Sequence, residues 1–167
     1  MIQLCKRAAV AVIGGLLAIL SLPGPGGAAA GSATAAFSIV AAQTPANGEL
    51  NFNGADKGRL VITVPVGASV ELTLTNRGSL PHSLQVIPFT DKLPATAVAK
   101  PAFPDAVTKD PQVGINKGQT AVVKFTASKP GKYLLICGFP GHALLGMYGT
   151  FEVSPSEAAK PSLVIKK

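Results

Sequence analysis

Residues 132–153 of the 167-residue chain read KYLLICGFPGHALLGMYGTFEV, and this stretch decides the fold. Its first six residues, Lys132–Cys137, predict a buried apolar strand, and the alternating residues Met147–Val153 predict a second one. The connection between them is rich in glycine and proline, which permit a tight bend. The stretch therefore predicts a strand–loop–strand unit with one cysteine, one histidine and one methionine around its loop.

The same period-two pattern continues towards the N-terminus. Between Ser69 and Thr75, for example, valine and leucine alternate with polar residues. The pattern predicts further strands at Glu49–Asn53, Gly58–Val64, Ser69–Thr75, His82–Phe89 and Gln119–Ala127. The chain has 18 glycines and 14 prolines, which suit a turn-rich β protein, and it shows no convincing amphipathic helix. We therefore predict an all-β fold, a Greek-key β-sandwich of about seven to eight strands.

Two segments are harder to interpret from the pattern alone. Residues 90–118 form a long, proline-rich connection that either covers a functional region or is a tolerated surface insertion. One helical turn is expected near Ala95–Ala99. Residues 154–167 are predicted to be a C-terminal tail, with Leu163–Ile165 as an alternative edge strand.

The N-terminus has the layout of a secretory signal peptide. Two basic residues precede the uncharged apolar run 8–22, and small residues follow it. We predict that residues 1–30 are a signal peptide cleaved after Ala30, with Ala36 or Ala42 as alternative sites. An uncleaved N-terminal membrane anchor is the other interpretation, although the run is short for a membrane span.

The domain organisation follows from this leader. Residues 31–48 are rich in small residues and predict a flexible linker, and 49–153 predict the folded domain. The protein is then exported, to the periplasm or another extracytoplasmic space. There a single cysteine, Cys137, remains once the leader with Cys5 is removed, and it has no internal disulfide partner.

Composition excludes several classes of function. Charged residues make up 14% of the chain, which is too few for a disordered chain. The 15 basic residues exceed the 8 acidic ones but are scattered singly, so no nucleic-acid-binding stripe is present. No phosphate loop and no set of residues for nucleophilic catalysis stands out.

The scarce residue types point to a metal. The chain has two cysteines, two histidines, two methionines and no tryptophan. Without the leader, these types reduce to His82, Cys137, His142 and Met147. His82 begins a strand that can lie beside the strand of Cys137 in a sandwich. A thiolate, two imidazoles and a weak axial thioether are the ligands of a blue copper site, and they predict one type 1 copper ion.

The sequence resembles the cupredoxin family over about residues 49–153. The loop Cys137–Met147 and the following YGTFEV resemble a cupredoxin ligand loop, with a Cys-x4-His-x4-Met spacing similar to that of sulfocyanins and, second, rusticyanins. Asn51–Gly54 and Ser79–Leu84 favour sulfocyanin. The resemblance implies a mononuclear type 1 copper site formed by the four residues named above. Many cupredoxins have asparagine after the first histidine ligand, where it ties the ligand loops together. Here Ser83 is shorter and less able to reach.

These observations predict an electron carrier that is not an enzyme. The single copper site uses both histidines, so no second copper site can be assembled for catalysis. The resemblance implies redox partners of a respiratory chain, with a cytochrome or a terminal oxidase expected, and the protein is expected to be a monomer. The ring edge of His142 is expected near the surface within an apolar docking patch. An extracytoplasmic copper chaperone or buffer is the alternative function.

Overall fold

The computed structural model describes residues 34–167, and eight strands account for its regular structure. A short helical turn, Ala46–Glu49, follows the first strand, and its Asn47 and Gly48 have non-helical backbone angles. The strands are β1 (Thr34–Ala41), β2 (Leu60–Pro65), β3 (Ser69–Asn76), β4 (Gln85–Pro88), β5 (Thr120–Thr126), β6 (Gly131–Ile136), β7 (Tyr148–Ser154) and β8 (Ser162–Ile165). None of the helical segments within this range is long and apolar enough to cross a membrane.

The strands form two sheets. The smaller has the order β1-β3-β5 and the larger the order β4-β6-β7-β2-β8. Two neighbouring pairs, β1 with β3 and β2 with β7, are parallel, and the remaining pairs are antiparallel. The predicted all-β sandwich is confirmed.

Inward-facing residues of both sheets share one core. On β3, Val70, Leu72 and Leu74 are buried and alternate with half-buried polar residues, as the sequence pattern predicts. They pack in the same cluster as buried residues of the larger sheet, among them Leu135 and Phe151. The alternation therefore fixes which face of each strand is removed from water.

The long connection 90–118 contributes to this core. Its Phe103 ring is fully enclosed and stacks on Phe125, with ring centroids 5.5 Å apart and planes 12° apart. The same ring lies 4.8 Å from that of Tyr133. The connection thus inserts an aromatic side chain between the sheets. The expected helical turn at Ala95–Ala99 is wrong, because this stretch forms bends.

The structure also differs from the predictions at both ends of the domain. Thr34–Ala41 forms β1 within the predicted linker, because its alternate residues are buried while its backbone pairs in parallel with β3. The predicted strand at Glu49–Asn53 is wrong, since Glu49 and Asn53 have positive φ angles of 70° and 51° that break an extended strand. At the C-terminus the alternative prediction is confirmed, and β8 pairs with β2.

Candidate metal centre

Sheet pairing brings the predicted ligands to one end of the larger sheet. Cys137 directly follows β6, and Met147 directly precedes β7. His82 lies three residues before β4. Because β4 pairs with β6 so that Gln85 faces Ile136, His82 arrives beside Cys137. The expected adjacency of these two strands is confirmed.

Three of the four side chains converge closely. The ligand atoms of His82, Cys137 and His142 all lie within 4.8 Å of one another. The Cys137 Sγ atom is 3.5 Å from Nδ1 of His142 and 3.9 Å from Nδ1 of His82. Donor atoms that would share one ion lie within a few ångströms of one another. The spacing therefore fits a single metal ion.

Met147 completes the group through its backbone and its burial. Its N–H donates to the His142 carbonyl at 2.9 Å, and its carbonyl accepts from the Cys137 N–H at 3.1 Å. Its side chain is fully enclosed in the same cluster as Cys137. The loop is thus closed at its base, and the four residues are arranged as in a type 1 copper site.

Burial keeps the donors neutral when no ion is bound. It lowers the pKa of His82 to about 4, with a smaller lowering from the nearby His142 and an opposing effect of Glu49. Burial also lowers the pKa of His142 and raises the pKa of the Cys137 thiol. Neutral imidazoles are ready to ligate, and a bound cation supplies the charge that a buried thiolate needs. The donor set is soft and holds no carboxylate, which suits copper.

Ser83 ties the two ligand loops together despite its short side chain. Its N–H donates to Cys137 Sγ at 3.4 Å, and its hydroxyl accepts from the Gly138 N–H at 2.9 Å. The same hydroxyl donates to the Pro111 carbonyl at 2.6 Å. The backbone at Gly138 is also closely approached by the connection 90–118, since a Cβ on Gly138 would lie 2.7 Å from that of Ala97.

The connection 90–118 braces the ligand loop, which the sequence did not reveal. The Gly138 carbonyl accepts from the Ala97 N–H at 2.9 Å and from the Thr96 hydroxyl at 3.0 Å. The Gly141 N–H donates to the Ala95 carbonyl at 2.7 Å. Apart from the Thr96 hydroxyl, these bonds join main-chain groups that almost any residue type supplies, so no motif marks them. Two interpretations were left open for this connection, a cover over a functional region and a tolerated surface insertion. The bonds to the ligand loop favour the first.

Removing the Ser83 hydroxyl should weaken this tie. In Ser83→Ala the Gly138 N–H and the Pro111 carbonyl lose their partner in a buried place, which should cost about 1–3 kcal/mol of unfolding free energy. Urea unfolding of the metal-free protein measures it. The exposed Ser128→Ala is the matched control and should change stability by less than about 0.5 kcal/mol. Equal values for the two variants would contradict a structural role for the hydroxyl.

Around His142 the surface is apolar. The imidazole is 5% exposed, and the Phe139 ring lies 4.6 Å from it. Leu144 and Leu145, in the same loop, are 55% and 61% exposed. We call these four residues, in which three apolar side chains accompany the buried imidazole along one loop, the His142 patch, and the apolar character of the loop agrees with the sequence prediction.

Comparison with known proteins agrees with this geometry. A family model described as the sulfocyanin (SoxE) domain matches residues 29–165. Sulfocyanin of Sulfolobus acidocaldarius is 30% identical over 138 residues, which are 79% of this chain and 69% of that protein.

Solved structures show the same fold. Auracyanin B is 26% identical with a TM-score of 0.53, and the match covers 74% of this chain and 91% of that one. Auracyanin of Roseiflexus castenholzii is 22% identical with a TM-score of 0.56 over 74% of this chain and all of that one. Rusticyanin is 23% identical with a TM-score of 0.53, over 72% and 78% of the two chains.

Proposed function

This chain belongs to the sulfocyanin (SoxE) family of cupredoxins, and from that premise we propose that it is a mononuclear type 1 copper protein that carries electrons between redox partners. The single observation that carries the proposal is the buried triangle of His82, Cys137 and His142 with Met147 beside it. When bound there, copper supplies one-electron chemistry by cycling between Cu(II) and Cu(I).

The protein's own contribution is a site that resists rearrangement. Main-chain bonds close the ligand loop at Met147, and the Ser83 tie and the connection 90–118 hold it from outside. Donors fixed in this way change position little when the charge of a bound ion changes. The Ser83 N–H directed at Cys137 Sγ stabilises negative charge on the sulfur.

We propose that the protein is not an enzyme. The chain has two histidines, and both lie in this site. A second copper centre for substrate chemistry would need further imidazoles, so the electron is passed on without a bound substrate.

We propose the His142 patch as the docking face and the imidazole of His142 as the route for the electron. Weak redox complexes use small interfaces, and an apolar surface around a ligand allows close approach without desolvating charge.

A charge placed in the patch should slow electron transfer. Electron self-exchange between oxidised and reduced copies, measured by NMR line broadening, tests this without a named partner. In Leu145→Glu the rate should fall about tenfold or more, because two like charges meet in the encounter complex. Val122→Glu is the matched control, since Val122 is 51% exposed on β5 of the other sheet. A fall of the same size in both variants would refute the patch as the docking face.

We also propose that the protein works outside the cytoplasmic membrane, as a monomer, with a redox-protein donor and acceptor such as a cytochrome or a terminal oxidase. The support for this location is the leader-like composition of residues 1–30, which lie outside the described residues, and the placement of β1 from Thr34 onward. Cleavage after Ala30 would leave β1 intact, whereas cleavage after Ala36 would divide it. The mass of the mature protein recovered from the producing cell decides between these sites and an uncleaved anchor.

The visible spectrum is the direct test of the proposed function. Adding Cu(II) to the metal-free protein should produce an intense absorption from charge transfer between the thiolate and copper. A colourless copper-loaded protein would overturn the proposal. Transfer of Cu(I) to an acceptor protein faster than electron exchange would support a copper chaperone instead.

A further inference from the structure

A short segment next to the metal centre has an unusual backbone. Asn47, Gly48 and Glu49 have φ angles of 53°, 62° and 70°, all in the left-handed region. Asparagine visits this region with modest difficulty and glycine freely, but glutamate rarely does so. We call Asn47–Glu49 the clasp, because its two outer side chains reach the two loops that carry the candidate ligands.

Asn47 binds the loop that carries His142 and Met147. Its Nδ2 atom donates to the Leu145 carbonyl at 2.9 Å and to the Leu50 carbonyl at 3.0 Å. Both amide hydrogens are therefore used. One is donated to the ligand loop and the other to Leu50, the residue directly after the clasp. The fit is close, since a Cβ on Gly146 would lie 3.2 Å from Nδ2 of Asn47.

Glu49 binds the loop that leads to His82. Its Oε2 atom accepts from the Ser79 N–H at 2.9 Å and from the Ser79 hydroxyl at 2.7 Å. These two bonds lower the pKa of Glu49, so the carboxylate is charged at neutral pH. Ser79 lies three residues before His82.

The side chains of Glu49 and His82 both lie close to Gly78. A Cβ on Gly78 would lie 3.1 Å from Nε2 of His82 and 3.2 Å from Oε2 of Glu49. The absence of a side chain at Gly78 thus lets the carboxylate approach the outer nitrogen of the imidazole. That nitrogen is buried and has no hydrogen-bond partner in the part of the chain that the structure describes.

We propose that Asn47 and Glu49 are positioning residues that hold the two ligand loops in a fixed relation to each other. Asn47 fixes the Cys137–Met147 loop, and Glu49 fixes the loop before His82 and places a negative charge near its imidazole. The effect on a bound ion rests on the proposed copper function, whereas the effect on the loops does not.

The chain offers a matched pair of variants for the Asn47 arm. Asn47→Gly keeps the left-handed backbone and removes the amide. Asn53→Gly does the same at a φ of 51°, but the Asn53 amide binds the Ser38 carbonyl of β1 at 3.1 Å. Both variants lose asparagine side-chain bonds at a left-handed position, and only the first loses a bond to a ligand loop.

Amide hydrogen exchange of the metal-free protein measures directly how readily the two loops open. In Asn47→Gly the N–H groups of Leu145 and Met147 should exchange about fivefold faster than in the wild type, because a neutral hydrogen bond to the loop is lost. In Asn53→Gly they should not change. Equal acceleration in both variants would overturn the Asn47 arm. Asn47→Asp, which also tolerates the left-handed region, repeats the test if the glycine variant does not fold.

Two variants of Glu49 separate its effect on the position of the loop from the effect of its charge. Glu49→Ala should speed exchange of the Ser79 and His82 N–H groups, whereas Glu49→Gln keeps an acceptor for Ser79 and should restore slow exchange. In the copper-loaded protein, Glu49→Gln should shift the equilibrium between Cu(II) and Cu(I) about three- to tenfold towards Cu(I) relative to the wild type. The reason is that a negative charge near the candidate ligands is removed. An unchanged Cu(I)/Cu(II) balance, or no rescue of exchange, would overturn this arm.

The two proposals fail in different ways. A wild-type protein that shows no charge-transfer absorption with Cu(II) contradicts the proposed function. The exchange measurements on the metal-free variants still confirm or overturn the clasp in that case.

Discussion

Cys137→Ser is expected to abolish the intense visible absorption of the copper-loaded protein. The absorption needs a thiolate bonded to Cu(II), and a serine hydroxyl is neither ionised at accessible pH nor a soft donor. The substitution is nearly isosteric, so the site should keep its shape. Absorption spectra of wild type and variant, each titrated with one equivalent of Cu(II), give the result.

The chain provides its own control for this experiment. Cys5→Ser, tested in the full-length chain, removes the other cysteine and should leave the absorption unchanged, because we propose that Cys5 belongs to a leader. Persistence of the absorption in Cys137→Ser would show that another sulfur binds the ion. Loss of the absorption in both variants would show that the assignment to Cys137 alone is wrong.

Met147→Leu is expected to retain copper and to raise its reduction potential. Leucine fills nearly the same volume as methionine in this fully enclosed place, so the fold should lose less than about 1.5 kcal/mol. The variant removes a weak thioether donor, which binds the more highly charged Cu(II) better than a hydrocarbon does. The expected shift is on the order of 100 mV, about 2 kcal/mol for one electron.

Equilibrium redox titration of wild type and variant measures the shift. Leu135→Met is the matched control, because Leu135 lies in the same core and the reverse exchange leaves the four candidate ligands intact. Its potential should stay within about 20 mV of the wild type, roughly a twofold change in equilibrium constant. Loss of copper binding in Met147→Leu would show that Met147 is more than a weak axial ligand. An unchanged potential would show that its sulfur does not contact the ion.

The candidate ligands could be predicted because their residue types are rare in this sequence. His82, Cys137, His142 and Met147 would bind an ion through their own side chains, so spacing and strand pattern suffice to single them out. The alternation of β3 was equally clear, because large apolar residues mark its buried face.

The segments that hold the site in place could not be predicted from the sequence, and the reason is physical. β1 consists mostly of small residues, and its parallel partner β3 lies far along the chain, so no local pattern marks the pairing. Connection 90–118 holds the ligand loop largely through main-chain groups, such as the Ala95 carbonyl that accepts from the Gly141 N–H. For the clasp, the one available signal is the pair Asn47-Gly48, since both residue types favour left-handed turns.

The strand order of the larger sheet determines when that sheet can form as the chain is synthesised. β2 is synthesised early, yet both of its neighbours, β7 and β8, lie more than eighty residues further along the chain. Until those residues have been synthesised, the apolar side chains of β2 have no partner strands in this sheet. Pairing of β2 therefore waits for a distant segment, and contacts between such distant segments form slowly. Until then the chain lacks the neighbours of β2 and exposes a strand prone to aggregation.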